Sequence, residues 1–110
     1  MKISEEKTEK CMIIGIEGRL DTTNYTELEK KMAELLDDGH DRILVDCVNM
    51  EYISSSGLRI LLMTLKRIML TNGKFVLSGL EKNIYEIFEI SGFTGIFEIH
   101  STREEALKVF

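Results

Sequence analysis

The chain has 110 residues, of which 44% are hydrophobic and 30% charged, and its formal net charge is -5. This length allows one domain with a single buried core. The negative charge argues against nucleic-acid binding and against docking on an anionic membrane, because both need a basic surface. No apolar run could span a bilayer, and residues 1–7 lack the hydrophobic region of a signal peptide, so we expect a cytoplasmic protein.

The beginning of the chain predicts an antiparallel hairpin. Residues 2–10 are polar and are compatible with an edge strand, whereas residues 11–18 are rich in isoleucine and predict a second strand. The short separation between them allows antiparallel pairing. A loop with the sequence Gly18-Arg19-Leu20-Asp21 then leads out of the second strand.

A first amphipathic helix follows this loop. Thr22, Thr23 or Asn24 could cap its N-terminus, and Gly39 could end it. Its predicted inner face consists of Tyr25, Leu28, Met32, Leu35 and Leu36. Residues 43–45 are continuously apolar and predict a strand buried on both faces.

A short connection through Asn49 and Tyr52 leads to the longest amphipathic run in the chain, which predicts a central helix ended by a left-handed Gly73. Its predicted apolar residues are Leu58, Leu61, Leu62, Leu65, Ile68 and Met69. Residues 74–77 predict another buried strand, and Ser78 and Glu81 have the spacing of a capping box before a third helix.

The end of the chain predicts a last strand over residues 96–99 and a short final helix capped by Ser101 with Glu104. Because helices and strands alternate after the hairpin, right-handed crossovers predict an α/β fold with a mixed, mostly parallel sheet. We expect four to five strands, about four helices, one antiparallel N-terminal edge strand and a single domain over residues 1–110. In such sheets function gathers where strands meet helix N-termini.

Ser54, Ser55 and Ser56 lie at such a place, and we call them the serine turn. Serine is a favoured cap for the free amides of a first helical turn, which is one explanation of the motif. A helix N-terminus also suits a phosphate, because the amides and the helix dipole favour negative charge. The alternative explanation is therefore a serine that carries or receives a phosphoryl group.

Signatures of enzymes and metal sites are missing from the sequence. There is no glycine-rich phosphate loop, and Ser55 lacks both a nucleophile elbow and a visible base. Cys11 and Cys47 are far apart in strand-like surroundings and predict buried thiols, while the isolated His40 and His100 do not form a zinc site. We therefore predict a protein that is not an enzyme and has no cofactor or metal.

Residues 45–59, which contain Ile53-Ser54-Ser55-Ser56-Gly57-Leu58-Arg59, resemble the signature of the STAS domain. More narrowly, they resemble the bacterial anti-sigma factor antagonists, and the loop 18–21 matches that family's Gly-x-Leu/Ile-Asp loop. The sequence departs from the family pattern at two positions. Ser54 replaces a common Asp, and Arg59 replaces a residue that is frequently small.

The resemblance implies a regulator that switches partners. The family's phosphorylated serine corresponds to Ser55, with Ser56 and Ser54 as less favoured sites. The unphosphorylated form would bind an anti-sigma factor that is also a serine kinase and would release the sigma factor, and a phosphatase would reset the phosphorylated form. The alternative is a STAS interaction module that binds its partner without phosphorylation.

The predicted partner-binding surface combines the serine turn, the loop after the second strand and one stripe of the central helix. Ile60 and Met63 would be exposed apolar residues beside the serine turn, unless a neighbouring helix covers them. The predicted partner-binding residues are Asp21, Thr22, Thr23, Ser54, Ser56, Gly57, Arg59, Ile60 and Met63.

Overall fold

A mixed sheet of six strands forms the centre of the fold in the computed structural model, which describes residues 1–110. The strands are β1 (Lys2–Lys7), β2 (Met12–Leu20), β3 (Arg42–Asp46), β4 (Met50–Ile53), β5 (Lys74–Ser78) and β6 (Glu98–His100). Their order is β1-β2-β3-β5-β6, and β4 pairs with the end of β2 beyond β3. Only the β1–β2 pair is antiparallel.

Helices cover both faces of this sheet. They are α1 (Tyr25–Asp37), α2 (Ser55–Leu70), α3 (Lys82–Ile90) and α4 (Arg103–Leu107), and a 3₁₀ turn lies at Phe93–Gly95. The larger core joins one face to α1, α2 and α3, whereas α4 packs on the other face through Ala106. Neighbouring residues of a strand point to opposite faces of the sheet. The side chain of Leu44 therefore packs in the smaller core, on the face that α4 covers, and the side chain of Val45 packs in the larger core on the other face.

The predicted fold class and the antiparallel edge strand are confirmed. Both strands that were predicted to be buried on two faces are present as β3 and β5, and both cysteines are buried. No helix is long and apolar enough to cross a membrane.

The sequence predicts a short connection through Asn49 and Tyr52, but residues 50–53 form the strand β4. Met50 and Ile53 are buried, whereas Glu51 and Tyr52 between them are exposed, so β4 shows no alternation of apolar and polar residues. The strand forms because β2 continues past the end of β3 and offers its backbone to a parallel partner. A register shift between Gly18 and Arg19 accompanies this change of partner.

Two features predicted near the end of α2 were also wrong. Asn72, not Gly73, has the positive φ of 57° after this helix. Gly73 serves instead for close packing, because a Cβ there would collide with the carbonyl oxygen of Asp41. Met69 was predicted to lie on the apolar face of the helix, but it is 65% exposed.

The caps of the last two helices differ from the predictions as well. Ser78 is the final residue of β5, and Glu81 alone caps α3 by accepting a 3.0 Å hydrogen bond from the Asn83 amide. Thr102 rather than Ser101 caps α4. These caps lie within one turn of the predicted positions, where local sequence patterns are least decisive.

Candidate functional site

The serine turn joins the end of β4 to the start of α2. Ser54 is the N-cap residue, and its Oγ accepts a 3.2 Å hydrogen bond from the Gly57 amide. Its carbonyl oxygen accepts a second one, of 2.9 Å, from the Leu58 amide. Ser54 is only 8% exposed, so its side chain is committed to the helix end.

Ser55 is the first residue of α2 and is exposed, while Ser56 is half-buried. The placement of the serine turn at a helix N-terminus, which the sequence predicts, is confirmed. The amides of Gly57 and Leu58 are satisfied by Ser54. The amides of Ser55 and Ser56 have no acceptor one turn back within the helix, as is general for a first helical turn, and such amides favour a nearby negative charge.

Gly57 sets how closely this helix end approaches the sheet. An added Cβ would lie 2.7 Å from Cγ of Leu20 and 3.0 Å from Cγ1 of Ile53. Glycine therefore allows α2 to rest directly on the ends of β2 and β4. Gly57 is itself buried, so it positions the serine turn and is not part of the exposed surface.

The loop after β2 leaves the sheet beside the serine turn. Leu20 pairs with Ile53 in the parallel register of β2 and β4, and the Ser54 amide donates a 2.8 Å hydrogen bond to the Leu20 carbonyl. The predicted functional residues of the two segments are therefore brought to the same edge of the sheet. Thr22 and Thr23 are exposed there, and Asp21 is partly exposed.

Hydrogen bonds fix the shape of this loop. Asp21 Oδ1 accepts from the Thr23 hydroxyl at 2.6 Å and from its amide at 2.9 Å, and these bonds hold the pKa of Asp21 below its usual value. Asn24 precedes α1, but its side chain does not cap the helix. It accepts from the Asp21 amide and donates to the Arg19 carbonyl, which closes the loop upon itself.

Arg19 and Tyr52 form a contact that the sequence did not indicate. The guanidinium carbon of Arg19 lies 4.2 Å from the centre of the Tyr52 ring, and Arg19 Nε lies 3.8 Å from Asp21 Oδ2. The two residues face each other because β2 and β4 are paired. No local pattern could have revealed this contact, since it depends on a strand that the sequence did not predict.

A row of exposed residues runs along α2 from the serine turn toward the C-terminal end of the helix. Ser55, Arg59 and Met63 are spaced four residues apart and are all exposed, and we call them the α2 stripe. Met63 is 49% exposed, but Ile60 is only 2% exposed because α1 packs against that side of α2. Of the two alternatives that the sequence leaves open, coverage by a neighbouring helix holds for Ile60 and exposure holds for Met63.

The site has no arrangement that would hold a metal. No group of three or more His, Cys, Asp or Glu side chains is placed to bind an ion. The site contains the exposed residues Ser55, Arg19 and Arg59 and the partly exposed carboxylate of Asp21, which is engaged by hydrogen bonds. Such a surface can present a hydroxyl for modification and can contact another protein.

The sequence of the chain is similar to those of known proteins. The family model of the STAS domain matches residues 2–106. A Bordetella bronchiseptica protein assigned as an anti-sigma factor antagonist, BtrV, is 36% identical over 110 residues, which cover 100% of this chain and 95% of that protein.

Solved structures share the fold at lower identity. The structure of a Thermotoga maritima protein assigned as an anti-sigma factor antagonist superimposes with a TM-score of 0.92 at 21% identity, covering 96% of this chain and 92% of the other. The phosphorylated form of the Bacillus cell-fate determinant SpoIIAA has a TM-score of 0.77 at 21% identity, covering 97% of both chains.

Proposed function

The chain belongs to the STAS domain family and within it to the anti-sigma factor antagonists, and from this premise we propose that phosphorylation of Ser55 switches its partner. The unphosphorylated protein binds an anti-sigma factor, and the sigma factor is released. Phosphorylation of Ser55 ends this binding. A phosphatase restores the first state, and the cycle takes place in the cytoplasm.

The exposed position of Ser55 at the start of α2 carries this proposal. Ser54 is buried and caps the helix, and Ser56 is half-buried, so Ser55 is the serine of the turn that another protein reaches most easily. The similarity to SpoIIAA, which has been solved in a phosphorylated form, adds support for modification within this family.

The anti-sigma factor is proposed to be a serine kinase as well. It supplies ATP, magnesium and a base. Ser55 Oγ forms the new bond to the γ-phosphorus, the bond from that phosphorus to the bridging oxygen breaks, ADP leaves, and the hydroxyl proton passes to the kinase base. This chain contributes a positioned hydroxyl and no catalytic group, and its relatives are regulatory binding proteins.

The proposed docking surface combines the α2 stripe with Ser56 and the loop residues Asp21, Thr22 and Thr23. Ser54, Gly57 and Ile60 lie beneath this surface and hold it in place. A phosphoryl group on Ser55 adds about -1.5 to -2 charges. Such a group must be desolvated in a packed interface, so it would oppose docking far more than it would disturb the fold.

The experiment is an intact-mass measurement after incubation with ATP, magnesium and the anti-sigma partner. We expect the wild type and Ser56→Ala to gain one phosphoryl group and Ser55→Ala to gain none. Phosphorylation of Ser55→Ala would move the acceptor to another serine. If no form gains phosphate although the partner binds, the protein acts as a constitutive interaction module whose serine turn only caps α2.

A further inference from the structure

We infer that Arg59 is an internal counter-ion for phosphorylated Ser55, so that the phosphate is held along α2 by the protein itself. This inference rests on the proposed phosphorylation of Ser55 and adds a regulatory residue to the same site.

The spacing of the two residues places them together. Ser55 and Arg59 lie four positions apart on α2 and are both exposed, so they are neighbours on one helix face. Side chains in a helix lean toward its N-terminus, which directs Arg59 back toward Ser55. An acidic group four residues before a cation is also the more favourable of the two orders.

The charge on Arg59 has no other partner in the fold. None of the seven ion pairs includes it. Helix α2, whose sequence is SSGLRILLMTLKRIML, contains no acidic residue. The nearby Asp21 is already engaged by Thr23 and lies close to Arg19. A phosphate on Ser55 would therefore supply the acidic partner that α2 lacks.

The uncharged N-cap residue, Ser54, also favours a doubly charged phosphate on Ser55. Aspartate is as good an N-cap as serine, but its carboxylate would stand beside the phosphate and repel it. Ser54 caps the helix without adding charge. The neutral cap and the free guanidinium both favour the doubly charged phosphate, and arginine suits this role because its planar donors match phosphate oxygens.

Pairing would also change the docking surface. Arg59 lies between Ser55 and Met63 on the α2 stripe. In the unphosphorylated form its guanidinium is free to meet a carboxylate of a partner. Phosphorylation of Ser55 would draw the Arg59 guanidinium toward the N-terminus of α2. The partner would then lose its contact with this cation and would also face the negative charge of the phosphate.

The test requires neither kinase nor partner, because phosphoserine can be placed at position 55 by genetic encoding. The second ionisation of the phosphate is followed by phosphorus NMR in the otherwise wild-type protein, in Arg59→Gln, in Arg59→Lys and in Arg67→Gln. Arg67 is a matched control on the same helix, where it pairs with Asp37 at 3.0 Å.

We expect the titration midpoint to lie about 0.3 pH unit lower in the otherwise wild-type protein than in Arg59→Gln, as for a favourable pair at this spacing. Arg59→Lys should keep part of the shift, and Arg67→Gln should not change the midpoint. The difference should shrink at about 1 M salt, where the screening length is about 3 Å. Equal midpoints with arginine and glutamine at this position would overturn the inference. A wild-type protein that no kinase modifies would instead remove the proposed function and leave this measurement unaffected.

Discussion

The hydroxyl oxygen of Ser54 accepts a hydrogen bond of 3.2 Å from the amide of Gly57, and this bond separates the roles of two adjacent serines. Ser54 is turned inward to close the helix end, whereas Ser55 begins α2 in an exposed position. Ser54 thus stabilises the helix end, and Ser55 is left available for the proposed phosphorylation.

Ser54→Ala should destabilise the protein, because it removes the cap of the longest helix. We expect a loss of about 1 kcal/mol in the free energy of unfolding, measured by urea denaturation. Ser54→Asp should restore most of this loss, since aspartate is also a good N-cap. An alanine variant as stable as the wild type would contradict the role of Ser54 as the cap.

Ser55→Asp should weaken binding to the anti-sigma partner, whereas Ser55→Ala should retain it. A loss of about 3 kcal/mol corresponds to roughly a hundredfold weaker affinity, measured by titration calorimetry. Melting temperatures should be nearly equal, because an acidic group at a helix N-terminus is favourable by only about 0.3–1 kcal/mol. Equal affinities for the three proteins would leave Ser55 without a role in switching.

Met63→Glu should weaken partner binding without unfolding the protein, because this exposed side chain lies on the α2 stripe. Met69→Glu is the matched control, since Met69 is also exposed on α2 but lies near the opposite end from the serine turn. Affinity and far-ultraviolet circular dichroism should be measured for both variants. If the two lose affinity equally, the docking surface is not centred on the α2 stripe.

Protonation of Glu98 should lower the free energy of unfolding at acid pH. Its hydrogen bond with His100, at 2.7 Å, and its ion pair with Lys74, at 3.4 Å, lower the pKa of this carboxyl group. The folded state therefore binds a proton at Glu98 less readily than the unfolded state does. The contribution of ionised Glu98 to the free energy of unfolding is fully present above the pKa of glutamate in the unfolded chain. It is lost as the pH falls through the lower pKa of Glu98 in the folded state.

Glu98→Gln should accordingly flatten the acid side of the curve of melting temperature against pH. The contribution is small, because Glu98 is partly exposed and solvent screens its charge. His100→Ala should reproduce part of the change, since it removes the partner that lowers the pKa of Glu98 most. An unchanged acid limb in Glu98→Gln would show that other carboxylates govern this region.

The order of the main elements and the place of the site can be predicted from the amino-acid sequence alone. The apolar residues of β2 and β3 indicated a buried sheet, and the periodicity of α2 located the start of a helix just after Ile53. Such patterns are legible because burial repeats along the chain with the period of the local structure. These patterns are therefore sufficient to place the serine turn at the start of α2.

Features that depend on residues distant in the sequence follow from tertiary packing and could not be predicted from local patterns. Strand β4 forms because β2 extends beyond β3, and that pairing brings Arg19 onto Tyr52. Ile60 is buried rather than exposed because α1 packs beside it. Local periodicity specifies which side of a helix is apolar, but the packing of a second helix decides how much of that side remains exposed.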